Sequence, residues 1–125
     1  MLLKNKIAVI TGASRGIGKS ISLAFAREGA SLVLICHKDI NSLNAVKKES
    51  ELFGVKVFNL MGDVSSEDFC NKVIKKTVDL FGRIDILVNC AGTITRNSVE
   101  DMSIKEWHRV IDVNLNGALY LCRNS

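Results

Sequence analysis

The sequence contains no proline and few rings: five Phe, one Trp and one Tyr in 125 residues. Average proline usage is ~5%, so its absence is unusual, but it selects no function. The scarce aromatics do not interleave with the basic residues, which argues against a nucleic-acid surface. Cysteine pairs are also missing. Cys36, Cys70, Cys90 and Cys122 lie far apart, so neither a metal-site nor a redox CxxC pattern exists. They read as reduced core thiols in a cytoplasmic protein. No apolar run approaches membrane-spanning length. The N-terminal MLLKNKIAVITG is too short in its apolar part for a signal peptide and lacks a small-residue cleavage site. There is no linker, repeat or low-complexity stretch. The expectation is one cytoplasmic domain over 1–125, with no metal, membrane or nucleic-acid partner.

What is present fits that size. Hydrophobic residues make up 47% of the chain and the formal net charge is +4, with both signs interspersed. Such a surface is solvated and mildly biased towards anionic ligands.

Two kinds of segment alternate. Ile7–Thr11, Ser31–Cys36, Val55–Leu60 and Ile84–Asn89 are continuous apolar runs. Such runs suit strands buried on both faces of a parallel sheet. Between them lie helical stripes. Ile17, Ile21, Ala24 and Phe25 form the first, closed by Gly29. Leu43, Val46 and Phe53 form the second, closed by Gly54. Phe69, Val73 and Leu80 form the third, closed by Gly82. Ser65 with Asp68, and Ser103 with Glu106, resemble capping boxes. A last helix from about Ser103 carries Trp107, Val110, Ile111, Asn114 and Ala118 on one face, which predicts an inward-facing Asn114. The β-α-β-α-β-α-β-α order predicts an α/β fold with a doubly wound parallel sheet.

The turn ITGASRGIGKS, Ile10 to Ser20, bears the chemistry. It ends in Gly18-Lys19-Ser20, as a triphosphatase phosphate loop does. That loop needs a glycine at position 13, which is Ala13 here. A dinucleotide turn fits better: a strand ends at Thr11, glycines follow, and a helix starts near Gly16. There, backbone and helix dipole meet a pyrophosphate. By themselves, Asp63 reads more often as a turn or cap residue and Asn89 as a loop contact, while Asn114 reads equally as part of a structural network.

Taken together, Thr11-Gly12-Ala13-Ser14-Arg15-Gly16-Ile17-Gly18, Asp63-Val64, Asn89-Cys90-Ala91-Gly92 and Val113-Asn114-Leu115-Asn116-Gly117 resemble the short-chain dehydrogenase/reductase family, in order and over the whole chain. The stretch AGTITRNSVEDMSIKEW is similar to the 3-oxoacyl-acyl-carrier-protein reductase and the sugar-acid or polyol dehydrogenase branches. The resemblance implies a Rossmann domain. Gly12, Ser14, Arg15, Gly16, Ile17 and Gly18 would line the pyrophosphate and adenosine ribose. Asp63 would hydrogen-bond the adenine with Val64 beside it. Asn89, Ala91 and Gly92 would border the nicotinamide ribose. Asn114 would hold a water in a proton relay.

The resemblance also implies hydride transfer between a nicotinamide cofactor and a carbonyl or alcohol, on a small-molecule or acyl-carrier-bound substrate. The family's serine and Tyr-x-x-x-Lys follow its fifth strand and have no counterpart in residues 1–125. The fourth residue after Tyr120 is Asn124, and Tyr120 itself reads as a packing aromatic. The chain therefore reads as the cofactor-binding half of such an enzyme, inactive alone, with the homotetramer expected of the full-length protein. The other readings are a non-catalytic dinucleotide-binding fragment, a sugar-acid or polyol dehydrogenase, and a P-loop-like ATPase. The cofactor is expected to be NADP(H), with NAD(H) admissible. An NAD site usually has an acid at the end of strand two. Here that position is Cys36, followed by His37 and Lys38, which with Arg15 could neutralise a 2′-phosphate. Asp39 is the nearest acid, one loop shift from the ribose.

Overall fold

The computed structural model describes residues 1–92, 98 and 100–124. Residues 93–97 and 99, within AGTITRNSVEDMSIKEW, lie outside the described residues. Four parallel strands, β1 (Ile7–Thr11), β2 (Ser31–Cys36), β3 (Val57–Met61) and β4 (Ile86–Val88), form one sheet in the order β3-β2-β1-β4. Helices α1 (Gly16–Arg27), α2 (Ile40–Glu51) and α3 (Glu67–Phe81) connect them. After β4 come α4 (Ile104–Ile111), a π-helical turn (Asp112–Asn116) and α5 (Gly117–Asn124).

The runs that predict strands are strands; the central β1 and β2 are buried on both faces, while the edge strands β3 and β4 are mostly half-buried. Alternate residues of β1 and β2 point to opposite sides. Ala8, Ile10, Leu32 and Leu34 pack with Ala26, Leu43 and Val46 on the α1–α2 side. Val9, Val33 and Ile35 pack with Cys70, Val73, Val113 and Leu121 on the α3–α5 side. β3 starts two residues later than its apolar run, and β4 is trimmed at both ends. There Asp85 leaves the strand pattern to accept a hydrogen bond from Ile7 N at 2.8 Å and to pair with Arg83.

The first helix faces the sheet differently from its apolar stripe. Gly18, Ser22 and Ala26 are its buried residues, while Ile17 is 75% exposed and Ala24 is exposed. Small residues mark this face because the helix lies against the turn before it. A Cβ on Gly18 would stand 2.0 Å from the Gly12 carbonyl oxygen. Ile21 and Phe25 pack at the flank. Phe53 and Leu80, placed on inward stripes by their spacing, are 41% and 49% exposed. Arg27 sits 5.7 Å over the Phe53 ring instead. The third helix is capped by Ser66, which accepts from Phe69 N, not by Ser65. Ser103 caps α4 as expected, accepting from Glu106 N.

The last helix differs most. Its inward residues are Val113, Gly117 and Leu121, and Trp107 and Asn114 are exposed. Trp107 and Asn114 do share a face, but it is the outward one; Val113, Gly117 and Leu121, out of step with it, take the core.

Candidate functional site

The carboxyl ends of all four strands open into one cleft of about 420 Å³. This is where open α/β sheets bind ligands, beside the point where strand order reverses between β1 and β4. The cleft is lined by Gly12, Ser14 and Arg15 after β1, and by Cys36, His37, Lys38 and Asp39 after β2. Asp63 and Val64 line it after β3, Cys90, Ala91 and Gly92 after β4, and Arg109 and Val113 from the last helix.

Local chemistry explains why the chain turns there. Gly12 has φ +61°, and a Cβ on it would come 2.7 Å from the Cys90 carbonyl oxygen. Only glycine lets the turns after β1 and β4 approach so closely. The buried Thr11 hydroxyl ties the same two turns together. Its Oγ1 accepts from Cys90 N at 3.1 Å and from Ala91 N at 2.9 Å.

The amino end of α1 stands apart from its neighbours. Asp39, Ser66 and Ser103 cap α2, α3 and α4 with side-chain oxygens. Arg15 precedes α1 in extended conformation without a side-chain cap, and no acid lies in the first turn. The first amides of this helix thus lack the usual side-chain acceptor, at the positive end of the dipole. An anionic phosphate bridge fits such an end.

Asp63 lines the cleft and is held by three neighbours, Ser65, Arg109 and His37. Its Oδ1 accepts from Ser65 N at 3.0 Å and Ser65 Oγ at 2.7 Å. Arg109 Nη1 donates to its Oδ2 at 2.7 Å, and His37 Nε2 lies 3.5 Å from the same oxygen. Burial pushes the Asp63 carboxyl up, but the Ser65 hydrogen bonds and the Arg109 guanidinium outweigh it and hold the group down at about 2. Cys36 takes the place of an acid at the end of β2. Burial first, then the Asp39 charge, push its thiol up, so a neutral group stands there. The Asp39 carboxylate is occupied by the Ser42 amide at 3.1 Å and hydroxyl at 2.7 Å. Those bonds, with Arg15 nearby, hold it below the usual carboxylate range.

Of the residues singled out from sequence, the cleft brings together Gly12, Ser14, Arg15, His37, Asp63, Val64, Ala91 and Gly92. Gly16, Ile17 and Gly18 form the start of α1 and do not line it. Asn89 and Asn114 line a smaller cavity of about 30 Å³, which shares Val64, Ala91 and Val113 with the cleft. Asn114 is exposed, not inward-facing as its stripe predicts, and its Oδ1 would lie 3.4 Å from a Cβ on Gly92. His37 faces Asp63, a carboxylate, and not only open cleft. Arg109 and Thr11 were not singled out. Arg109 has a legible signal: it shares helical spacing with Val113 and Gly117, so a cation stands on an otherwise inward face. Thr11 had none beyond ending an apolar run.

A family model described as short chain dehydrogenase matches residues 6–125. The chain belongs to the short-chain dehydrogenase/reductase family. It is 38% identical over 124 residues to general stress protein 39 of Bacillus subtilis, covering 98% of this chain and 43% of that protein. It is 41% identical over 113 residues to the 3-oxoacyl-acyl-carrier-protein reductase FabG of Staphylococcus epidermidis, covering 90% of this chain and 46% of that one. A short chain dehydrogenase from Burkholderia cenocepacia, solved in complex with NADP, superposes with a TM-score of 0.96 at 27% identity. That match covers 99% of this chain and 51% of the other. The chain spans about half the length of these relatives. As a short-chain dehydrogenase/reductase it belongs to a family of oxidoreductases that use NAD(P), on a Rossmann-like sheet. No helix among the described residues is long and apolar enough to cross a membrane.

Proposed function

We propose that residues 1–125 form the cofactor-binding part of an NADP(H)-dependent reductase acting on a carbonyl carried by an acyl thioester. The observation that carries this reading is one cleft that joins an uncapped α1 amino end, the cations Arg15 and Lys38, and a neutral Cys36 at the end of β2. The pyrophosphate would lie at the α1 amino end, with Gly12, Ser14 and Arg15 of the turn lining the cleft before it. The 2′-phosphate is met by Arg15 and Lys38, with His37 beside them. Asp39 stays with Ser42 and does not claim the ribose hydroxyls. Asp63 receives the adenine amino group and Val64 packs by the ring. Asn89, Ala91 and Gly92 border the nicotinamide end.

The nicotinamide, when bound, supplies or accepts the hydride. Asn114 holds a water at the cavity of about 30 Å³, a volume of water size. That water belongs to the route by which a proton reaches the substrate oxygen. The residues that deliver the proton and orient the carbonyl are assigned to the part of the protein outside residues 1–125. The acyl-carrier substrate is supported by the likeness to 3-oxoacyl-acyl-carrier-protein reductases.

Assembly as a homotetramer in the whole protein is part of the proposal. It is supported by Ile104, Trp107, Leu115 and Leu119, large apolar residues at helical spacing that are all more than half exposed. Such a stripe suits burial against another subunit.

The test is a titration of the chain with NADPH, NADH and ATP–magnesium. Tighter binding of NADPH than of the other two is expected. Preference for ATP–magnesium would replace the reading with a phosphate-loop one. For the whole protein, NADPH oxidation is followed with a short 3-oxoacyl thioester and a keto sugar acid. NADPH binding without turnover of either would favour the non-catalytic module.

A further inference from the structure

We infer that His37 makes cofactor selection pH-dependent, because only its doubly protonated ring can face the Asp63 carboxylate and a 2′-phosphate at once. NADPH then binds with uptake of a proton, and its advantage over NADH shrinks as pH rises above neutral. The inference rests on the proposed reading in which the 2′-phosphate lies by Arg15 and Lys38.

His37 lines the cleft after β2, and its side chain is 46% exposed. Its Nε2 stands 3.5 Å from Asp63 Oδ2. That separation exceeds a formed N–H···O bond, typically about 2.7–3.2 Å, but opposite charges so placed still attract. The carboxylate is fixed there. Ser65 holds its Oδ1 through the amide at 3.0 Å and the hydroxyl at 2.7 Å, and Arg109 Nη1 holds Oδ2 at 2.7 Å. One ring nitrogen of His37 therefore meets a standing anion, and Nδ1 is the one left for a ligand.

A neutral imidazole has one N–H and one lone pair, whereas imidazolium has two N–H groups. Between two anions the neutral ring turns its lone pair to one of them, whichever tautomer it adopts. The doubly protonated ring donates towards both. A bound 2′-phosphate thus favours the charged ring, and by linkage the proton and the phosphate strengthen each other's binding. NADH lacks the phosphate and leaves the ring with the carboxylate alone.

The other charges around the ring do not supply this dependence. Against burial, the Ser65 hydrogen bonds and Arg109 hold the Asp63 carboxyl at about 2. The Ser42 bonds hold Asp39 below the usual carboxylate range. Both acids are therefore ionised near neutral pH. Arg15, Lys38 and Arg109 bring positive charge throughout that range. Burial pushes the Cys36 thiol up, away from it. Imidazole is the side chain whose ordinary value, ~6.5, falls between pH 5 and 8. The Cys90 thiol also lines the cleft. It is unchanged in a His37 variant and cancels from the comparison.

The experiment is calorimetry of NADPH and NADH binding to the whole protein from about pH 6.5 to about pH 8.5. Each titration is run in two buffers of different ionisation enthalpy, which counts the protons exchanged. Net proton uptake is expected with NADPH and not with NADH. The ratio of NADPH to NADH affinity should fall roughly threefold or more across the range, since hydrogen bonds to charged groups are the strong ones. A phosphate monoester keeps its second proton only below about pH 6, and cations drive that proton off. The ligand's own contribution is therefore proton release, opposite in sign. His37→Gln, checked by thermal unfolding, should show a lower, flat ratio and no uptake. His37→Arg, charged at every pH, should show a high, flat ratio and no uptake. A wild type that prefers NADPH with a flat ratio and no uptake overturns the inference and leaves the cofactor reading intact. Uptake that persists in either variant overturns it too, and His37→Arg decides alone should His37→Gln not fold. No preference for NADPH at any pH overturns the cofactor reading and this inference with it.

Discussion

Arg109 Nη1 and Asp63 Oδ2 meet at 2.7 Å, bridging 46 residues of sequence and joining α4 to the loop after β3. Against burial, the two Ser65 hydrogen bonds and then this contact hold the Asp63 carboxyl at about 2. Its unfolded value is ~3.9. A depressed folded-state value contributes stability that is complete above the unfolded one and is lost as pH falls through the folded one. Asp63→Asn should therefore lower the melting temperature at pH 7. The gap should correspond to about 1 kcal/mol, since the pair is partly solvated. It should close between about pH 4 and pH 2. Thermal unfolding followed by circular dichroism across that range checks it. A gap independent of pH would mean the loss comes from Ser65 packing and not from the charge.

The three glycines of the first turn should respond unequally to alanine. Gly18→Ala puts a methyl 2.0 Å from a backbone oxygen, and Gly12→Ala puts one 2.7 Å from another at φ +61°. Each should cost about 2–4 kcal/mol. Gly16 has φ +60° but open space around its Cβ position. Gly16→Ala should cost only about 1–2 kcal/mol, the strain of a left-handed residue. Urea unfolding of the three variants gives the ranking. Equal losses would refute the steric account.

Thr11→Val keeps the shape of the side chain and removes the acceptor for two amides, Cys90 N and Ala91 N. A cost of about 2 kcal/mol is expected for the unmet donors. Hydrogen exchange of the Ala91 amide should quicken with it. Thr11→Ser should keep most of the protection. The turn after β4 also borders the cleft, so NADPH affinity should fall in Thr11→Val and recover in Thr11→Ser.

Cofactor preference should reside in Arg15 and Lys38. In the whole protein, Arg15→Ala with Lys38→Ala is expected to lower kcat/KM for NADPH by roughly tenfold or more, two charge-assisted contacts being lost. The value for NADH should hardly move. A wild-type enzyme faster with NADH, or a double variant with unchanged preference, would remove the 2′-phosphate from this site.

Much of the architecture was legible in order and spacing. Four apolar runs separated by helical patterns can be satisfied only by a parallel sheet covered on both faces, and the chain forms one. The glycine turn was legible too, because a strand, three glycines and a helix start occur within Ile10 to Ser20. Helix facing was not. On α1 the inward residues are Gly18, Ser22 and Ala26, chosen by how closely the helix approaches the Gly12 backbone, and hydrophobicity does not record closeness. Past β4, the face that carries Trp107 and Asn114 is the outward one, while Val113 and Leu121 take the core. The Asp63 site was half visible. The acid at a strand end could be read from the chain, since loops after strands bind ligands in such sheets. Its brace could not. Arg109 comes from a helix 46 residues away, and only the tertiary fold brings its guanidinium to the carboxylate. Sequence by itself determined the elements and the turn, which depend on neighbours along the chain. Which side chains share the cleft, and which charges they leave unmatched, depends on neighbours in space.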